Sequence, residues 1–398
     1  LFYNFEEGYK VSALICFFII STSYLISYFG KGQTYMAVLS AAQEKYVYSL
    51  IFNGVKLLCD ILIVVVTIKF KTLESIAIVI LAMKILEEII NRIVVKKKYP
   101  ELHEIARKDT SMVKMTKDLA WTQLGYLILN NVDALLLMGF NGPVMVSIYT
   151  TYNYILRFLT EIASRVELSS VYSFGNVFAK KEEKRVYPLF KEYMMMFILI
   201  AFSMCLTFMI GIRGFVSVWV GKENYILDYI TVVLFTSTSF LNILYFPLVA
   251  LINADGLFKD NKKHIFICAS VNLILSIILI NYLGINGILL GTGVAFLVNI
   301  ALKSNLISKK ITKEIKLSNI LKYYIITIIL FIVLSVALKP IENYFLLTAG
   351  SFITTILKLG IIFIIITLLT SIILYVVSND AKNLFRRLLN LIKRKLKK

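Results

Sequence analysis

Residues 352–376 read FITTILKLGIIFIIITLLTSIILYV, and residues 377–398 read VSNDAKNLFRRLLNLIKRKLKK. The first segment is apolar over a length that matches the hydrocarbon core of a bilayer, which takes roughly 20 helical residues to cross. The second is basic. The same alternation runs through the rest of the chain. Ten more apolar stretches lie near 9–28, 47–69, 72–94, 119–140, 144–166, 192–212, 228–252, 264–282, 286–306 and 321–339. Inside hydrocarbon no water is available to the backbone, so only helices or closed barrels cross, and these stretches are too long for barrel strands. The expected fold class is all-α: a polytopic transmembrane helical bundle with eleven spans in this sequence.

The connecting segments alternate in charge. Those around 29–46, 92–118, 180–191, 256–264, 303–322 and after 376 hold 32 of the 43 Lys and Arg. The opposite ones hold six: Lys10, Lys69, Lys71, Arg213, Lys222 and Lys339. Five lie within spans, at Lys56, Lys84, Arg157, Arg165 and Lys358. Basic residues concentrate in cytoplasmic loops, so the rich side reads as cytoplasmic, with the C-terminus on it. The expected location is a bacterial cytoplasmic membrane. Leu1 to Lys10 then reads as outside. A chain begun in the cytoplasm arrives there after an odd number of spans, so the sequence reads as a fragment that lacks three N-terminal helices.

The net charge of +19 would suggest nucleic acid in a soluble domain. Here topology and attraction to anionic membrane lipid account for it, so no nucleic-acid partner is expected. Cys16, Cys59, Cys205 and Cys268 each sit in apolar sequence, as small core residues do, without zinc or disulfide spacing. With only His103 and His264, no histidine metal site and no cofactor is expected. There is no P-loop, and no outer loop is long enough for a catalytic domain.

The longest polar connector, 92–118, divides two lobes. Residues 1–98 read as the remainder of an N-terminal lobe, 99–118 as the inter-lobe connector and 119–306 as a C-terminal lobe. Residues 307–376 read as two additional helices and 377–398 as a basic cytoplasmic tail. In that tail Leu384, Leu388, Leu391 and Ile392 recur at helical spacing opposite basic residues. This suits a helix on the anionic leaflet or a solvated tail.

A charge at mid-membrane costs about 3 kcal/mol on insertion scales, so ionisable residues in spans are the candidates for function. Lys56 and Asp60 are one helical turn apart, either a cavity-facing pair or a self-neutralised one. Lys84 precedes Glu87 and Glu88, and Glu88 is spaced to pair with Lys84 or Arg92. In 144–166 the residues Thr150, Tyr154, Arg157, Glu161 and Arg165 form one polar stripe, widened by Asn153, Thr160 and Ser164. Such a stripe needs an aqueous cavity or polar neighbours. Arg157 is the leading candidate, because guanidinium stays charged and grips phosphate bidentately; the bland alternative is that Glu161 neutralises both arginines. Asp133, with Asn130 and Asn131, is a candidate for a proton or cation, or else a carboxyl bonded to neighbouring helices. Pro247 is expected to kink its helix and is the candidate gate. Tyr149, Tyr152 and Tyr154 are candidates for stacking on sugars.

The strings NNVDALLLMGFNGPVMVSIYTTYNYI (130–155) and SSVYSFGNVFAKKEEK (169–184) resemble the polysaccharide repeat-unit flippases, the Wzx-type transporters of capsule, O-antigen and cell-wall glycan assembly. So do FVSVWVGKENYIL (215–227), NADGLFKDNKKH (253–264) and VNLILSIILINYLGINGILLGTGVA (271–295), together with TYMAVLSAAQEKYVYSLI (34–51) and VVKKKYPEL (94–102). The resemblance implies the multidrug/oligosaccharidyl-lipid/polysaccharide exporter fold, two six-helix lobes around a central cavity, with two further C-terminal helices. It implies alternating-access movement of undecaprenyl-diphosphate-linked oligosaccharide between leaflets, without enzymatic activity. Arg157, Tyr154, Arg165, Lys56 and Lys84 would meet the substrate, and Asp60, Glu161 and Asp133 would couple ions or pair charges. Glycan polymerase or chain-length regulator proteins are the partners such a transporter would have. Competing expectations are a multidrug cation exporter, a membrane glycan polymerase or ligase, and a non-catalytic assembly partner.

Overall fold

The computed structural model describes residues 7–30, 32–42, 44–100, 111–311 and 316–396. His103, the 101–110 part of the connector, and the side chains of Asn130, Leu388, Leu391 and Ile392 lie outside what is described. The described residues are helical with short turns and no strand. They divide into two compact units, Leu1–Asp109 and Thr110–Lys398.

The first unit contains α1 (Glu7–Phe29), α2 (Gly32–Ala41), α3 (Lys45–Phe70) and α4 (Leu73–Lys98), with α1 and α3 both packed on α4. Its buried core is small: Tyr35, Leu39 and Val95, flanked by Val38, Val47, Tyr48 and Tyr99. The apolar residues of α1 and α3 are mostly exposed, as suits helices whose outer solvent is lipid. A polar clasp closes one end. Glu44 accepts from the Tyr99 hydroxyl at 2.6 Å and pairs with Lys98 at 2.7 Å. These bonds hold the Glu44 carboxyl below its ordinary range, the Lys98 bond contributing most.

The second unit opens with α5 (Ser111–Ala179), 69 residues long. A straight helix of that length would run about 100 Å at 1.5 Å per residue, several times the bilayer core. It does not run straight. Gly142 has φ 81° and ψ 178°, and Pro143 follows it. Only glycine takes that backbone cheaply, and proline removes the next donor. The chain doubles back there, so Tyr149 and Arg157 of the second arm hydrogen-bond Asp133 and Asn131 of the first.

Around α5 lie α6 (Glu183–Trp219), α7 (Tyr229–Asp255), α8 (Phe258–Leu283) and α9 (Ile285–Lys310). Helices α6 and α7 are the most buried and form the centre of the core. Helices α8 and α9 pack closely because α9 presents glycines. A Cβ on Gly291 would lie 2.5 Å from the Ser276 hydroxyl and 2.9 Å from its backbone nitrogen, and one on Gly287 would lie 2.4 Å from the Leu279 carbonyl oxygen. Then come α10 (Leu317–Ala337), α11 (Lys339–Leu347), α12 (Phe352–Val377) and α13 (Asn379–Leu396). Helix α10 is tied to the core by Tyr324, whose hydroxyl donates to the Leu244 carbonyl at 2.9 Å, and by the Phe240–Phe331 stack at 4.0 Å. Helix α13 packs on α6 through buried Ala381 and Leu384, and ion pairs join Lys191 to Asp380 and Arg387 to Glu192.

Nine helices among the described residues are long and apolar enough to cross a membrane. The sequence reading expects eleven spans, and the difference has two sources. The 119–140 and 144–166 spans are the arms of the single broken helix α5. The 72–94 span lies on α4, which is long enough but carries Lys84, Glu87, Glu88 and Arg92 in one half. Another correction concerns Lys303, which the charge count assigns to a loop. It is fully buried within α9, bonded to the Asn261 side-chain oxygen and 6.0 Å from the Tyr126 ring centre.

Candidate functional site

Asp133, in the first arm of α5, is 5% exposed. Its carboxylate accepts from the Tyr149 hydroxyl at 3.2 Å and from the Thr292 hydroxyl at 3.0 Å. The Thr292 oxygen also lies 3.2 Å from the Asn272 side-chain oxygen, which accepts from Ser276 at 3.0 Å. The Asn272 amide group donates to the Leu129 carbonyl at 3.2 Å. A threonine hydroxyl carries one proton, yet acceptors of both Asp133 and Asn272 surround this one. The cluster is richer in acceptor oxygens than in protons. One carboxylate among neutral oxygens suits a proton or a hard monovalent cation, whereas soft metals need sulfur or nitrogen ligands.

Asp133, Tyr149 and Thr292 of the cluster line a cavity of about 270 Å³ between both arms of α5, α7 and α9. Helix α7 contributes Thr238, Ser239 and Asn242, and the second arm of α5 contributes Asn153, Arg157 and Thr160. An adjoining depression of about 210 Å³ shares Asn131, Tyr149, Asn153 and Arg157 and adds Tyr154. Arg157 stands where the two meet. Its Nη2 donates to the Asn131 side-chain oxygen at 3.1 Å while the residue remains exposed.

The fold thus brings Arg157, Tyr154 and Asp133 together. Tyr154 is 71% exposed on the rim, and Phe158 lines neither hollow. Glu161 and Arg165 continue the stripe along α5, exposed and outside both hollows. Lys56, Asp60 and Lys84 belong to the first unit. Lys56 and Asp60 are exposed on α3, and no ion pair joins them. Lys84 bonds Glu87 at 2.8 Å, correcting the expected Glu88 partner, and sits 5.6 Å from the Phe52 ring centre. Pro247 is buried, and α7 is helical from Tyr229 to Asp255 through it.

The tyrosine expectation needs correction. Tyr152 is fully buried; its hydroxyl donates to the Tyr225 carbonyl and accepts from the Leu227 amide, so its ring is sealed in the core. Tyr149 is 5% exposed, its ring tilted against Phe235 at 5.2 Å, and its hydroxyl donates to Asp133. Sequence reasoning missed Thr292 as a partner of Asp133, with Asn272 and Ser276 linked behind it, and it missed Asn242 on the cavity wall. A signal was present: small polar residues inside apolar helices, with Asn272 and Ser276 one turn apart.

No family model matches the chain, and no curated protein matches it. Among solved structures, the lipid II flippase MurJ in an inward closed conformation superposes with a TM-score of 0.66. The match covers 94% of this chain and 76% of that one at 14% identity. The fold is shared. The likeness to MurJ concerns the arrangement of helices.

Proposed function

We propose that this chain is part of a transporter, not an enzyme, and moves a lipid-linked oligosaccharide between the leaflets of a bacterial cytoplasmic membrane. The substrate class is undecaprenyl-diphosphate-linked repeat units of a surface polysaccharide, handled by alternating access. The shared fold with a lipid II flippase supports flipping of a lipid-linked precursor. The observation that carries the reading is Arg157, an arginine at the mouth of a polar cavity between membrane-length helices. Its charge and fork geometry suit a diphosphate, whose polyprenyl tail stays in lipid between helices. Tyr154 on the rim offers a ring face to the sugars. Asp133 and its oxygen cluster provide the place where a proton or hard cation couples to movement.

The test is glycan display in a flippase-null host carrying the full-length gene, with membrane protein level measured alongside. Arg157→Ala abolishes surface glycan while the protein still accumulates. Full display by a stably accumulating Arg157→Ala variant would sink the site assignment. Asp133→Asn retains insertion but makes transport insensitive to the coupling ion, read as loss of dependence on external pH or sodium in vesicles.

A further inference from the structure

A second polar cavity, of about 290 Å³, lies where the end of α5, the start of α6 and α13 come together. Asn176, Lys180, Glu182, Arg185, Glu192 and Arg387 line it. It shares no residue with the Arg157 hollows.

Two of its cations are already engaged. Arg185 pairs with Glu182, and Arg387 Nη1 pairs with Glu192 at 3.0 Å. Each guanidinium bonds a single carboxylate oxygen and keeps other N–H donors. Lys180 has no carboxylate partner among the described residues. The lining therefore holds three cations against two carboxylates, a surplus of one positive charge. Asn176 adds a neutral donor. A phosphodiester carries one negative charge, which balances that surplus, whereas free phosphate carries nearer two at neutral pH.

Position favours the same ligand. The cavity sits at the 180–182 turn, where two helices of spanning length reverse, and basic α13 closes it. Glu192, at the first residue of the apolar 192–212 stretch, also lines the cavity, so one edge of it lies at the polar boundary of the apolar segments, where anionic headgroups are met. The charge pattern assigns this end to the cytoplasmic side. We propose that this cavity binds the phosphodiester of an anionic phospholipid headgroup, held by Lys180 and Arg387. A bound headgroup would join α13 to the α5–α6 turn, adding to the Lys191–Asp380 and Arg387–Glu192 pairs. The site is independent of substrate handling at Arg157.

Native mass spectrometry of the purified full chain in detergent tests this, with phosphatidylglycerol or phosphatidylcholine added in parallel. The wild type retains one phosphatidylglycerol under activation that strips phosphatidylcholine. The Lys180→Ala/Arg387→Ala variant retains it about tenfold less, the scale of losing charge-assisted bonds. Lys180→Gln, which breaks no ion pair, shows a smaller loss in the same direction and serves if the double variant does not fold. Arg157→Ala retains the lipid like the wild type, so failure of the substrate assignment leaves this result standing. Equal retention of both lipids, or unchanged phosphatidylglycerol retention in Lys180→Gln and the double variant, would overturn the proposal. Displacement of the lipid by millimolar inorganic phosphate would assign the site to a soluble phosphate and overturn the lipid assignment.

Discussion

The Arg157 guanidinium donates to the Asn131 side-chain oxygen at 3.1 Å, across the fold-back at Gly142 and Pro143. Neither residue is a sequence neighbour of the other, and the reversal of α5 alone brings them together. The bond to a neutral amide oxygen helps orient the arginine. Arg157→Lys should therefore keep part of the glycan display, because charge survives and the fork does not. Asn131→Ala should lower display less than Arg157→Ala, by about tenfold to a hundredfold, since one hydrogen bond to a charged group is worth about 1.5–3 kcal/mol. A display assay normalised to membrane protein checks the order.

Lys56 and Asp60 share a face of α3 but make no ion pair with each other. Their substitutions should act independently. In a double-mutant cycle on thermal stability, Lys56→Ala and Asp60→Ala should add to within about 0.5 kcal/mol. Recovery of the double variant beyond either single variant would show a coupled pair.

Gly291 lets α9 touch the backbone of α8 at Ser276. Gly291→Ala must push the helices apart and should destabilise the second unit by about 1–3 kcal/mol, the scale of overpacking. Gly360 on α12 has open space at its Cβ position. Gly360→Ala should be neutral or stabilising by up to about 1 kcal/mol. Melting in detergent should separate the two.

Glu342 on α11 is fully buried and pairs with Arg213 of α6 at 3.1 Å. Burial raises its carboxyl above the ordinary range, against the opposing pull of Arg213 and Lys339. The folded protein then binds this proton more tightly than the unfolded chain, so the group adds stability as pH falls through its raised pKa. The melting-temperature difference between wild type and Glu342→Gln should shift towards the wild type as pH falls from neutral towards the ordinary glutamate range. Removing only Arg213 should cost about 3 kcal/mol near neutral pH, because an uncompensated carboxylate stays buried.

Hydrophobic length and basic alternation in the sequence determined an all-helical, membrane-crossing chain, because lipid imposes its constraint locally on every 20-residue stretch. The polar stripe through Tyr154 and Arg157 was readable for a similar reason, since its residues lie within a few turns of one helix. Tertiary structure decided the rest. Asp133 gains Thr292 from α9, and Leu129 one turn before it gains Asn272 from α8, each more than 130 residues away in sequence. Lys303 looks like a loop cation and is buried against Asn261. Tyr152 and Tyr154, two residues apart, part company, one sealed in the core and the other on the cavity rim. Periodicity along one helix tells which residues share a face, but which faces meet depends on how the helices pack. Here that packing is set by the break at Gly142 and by the glycine contacts of α8 with α9.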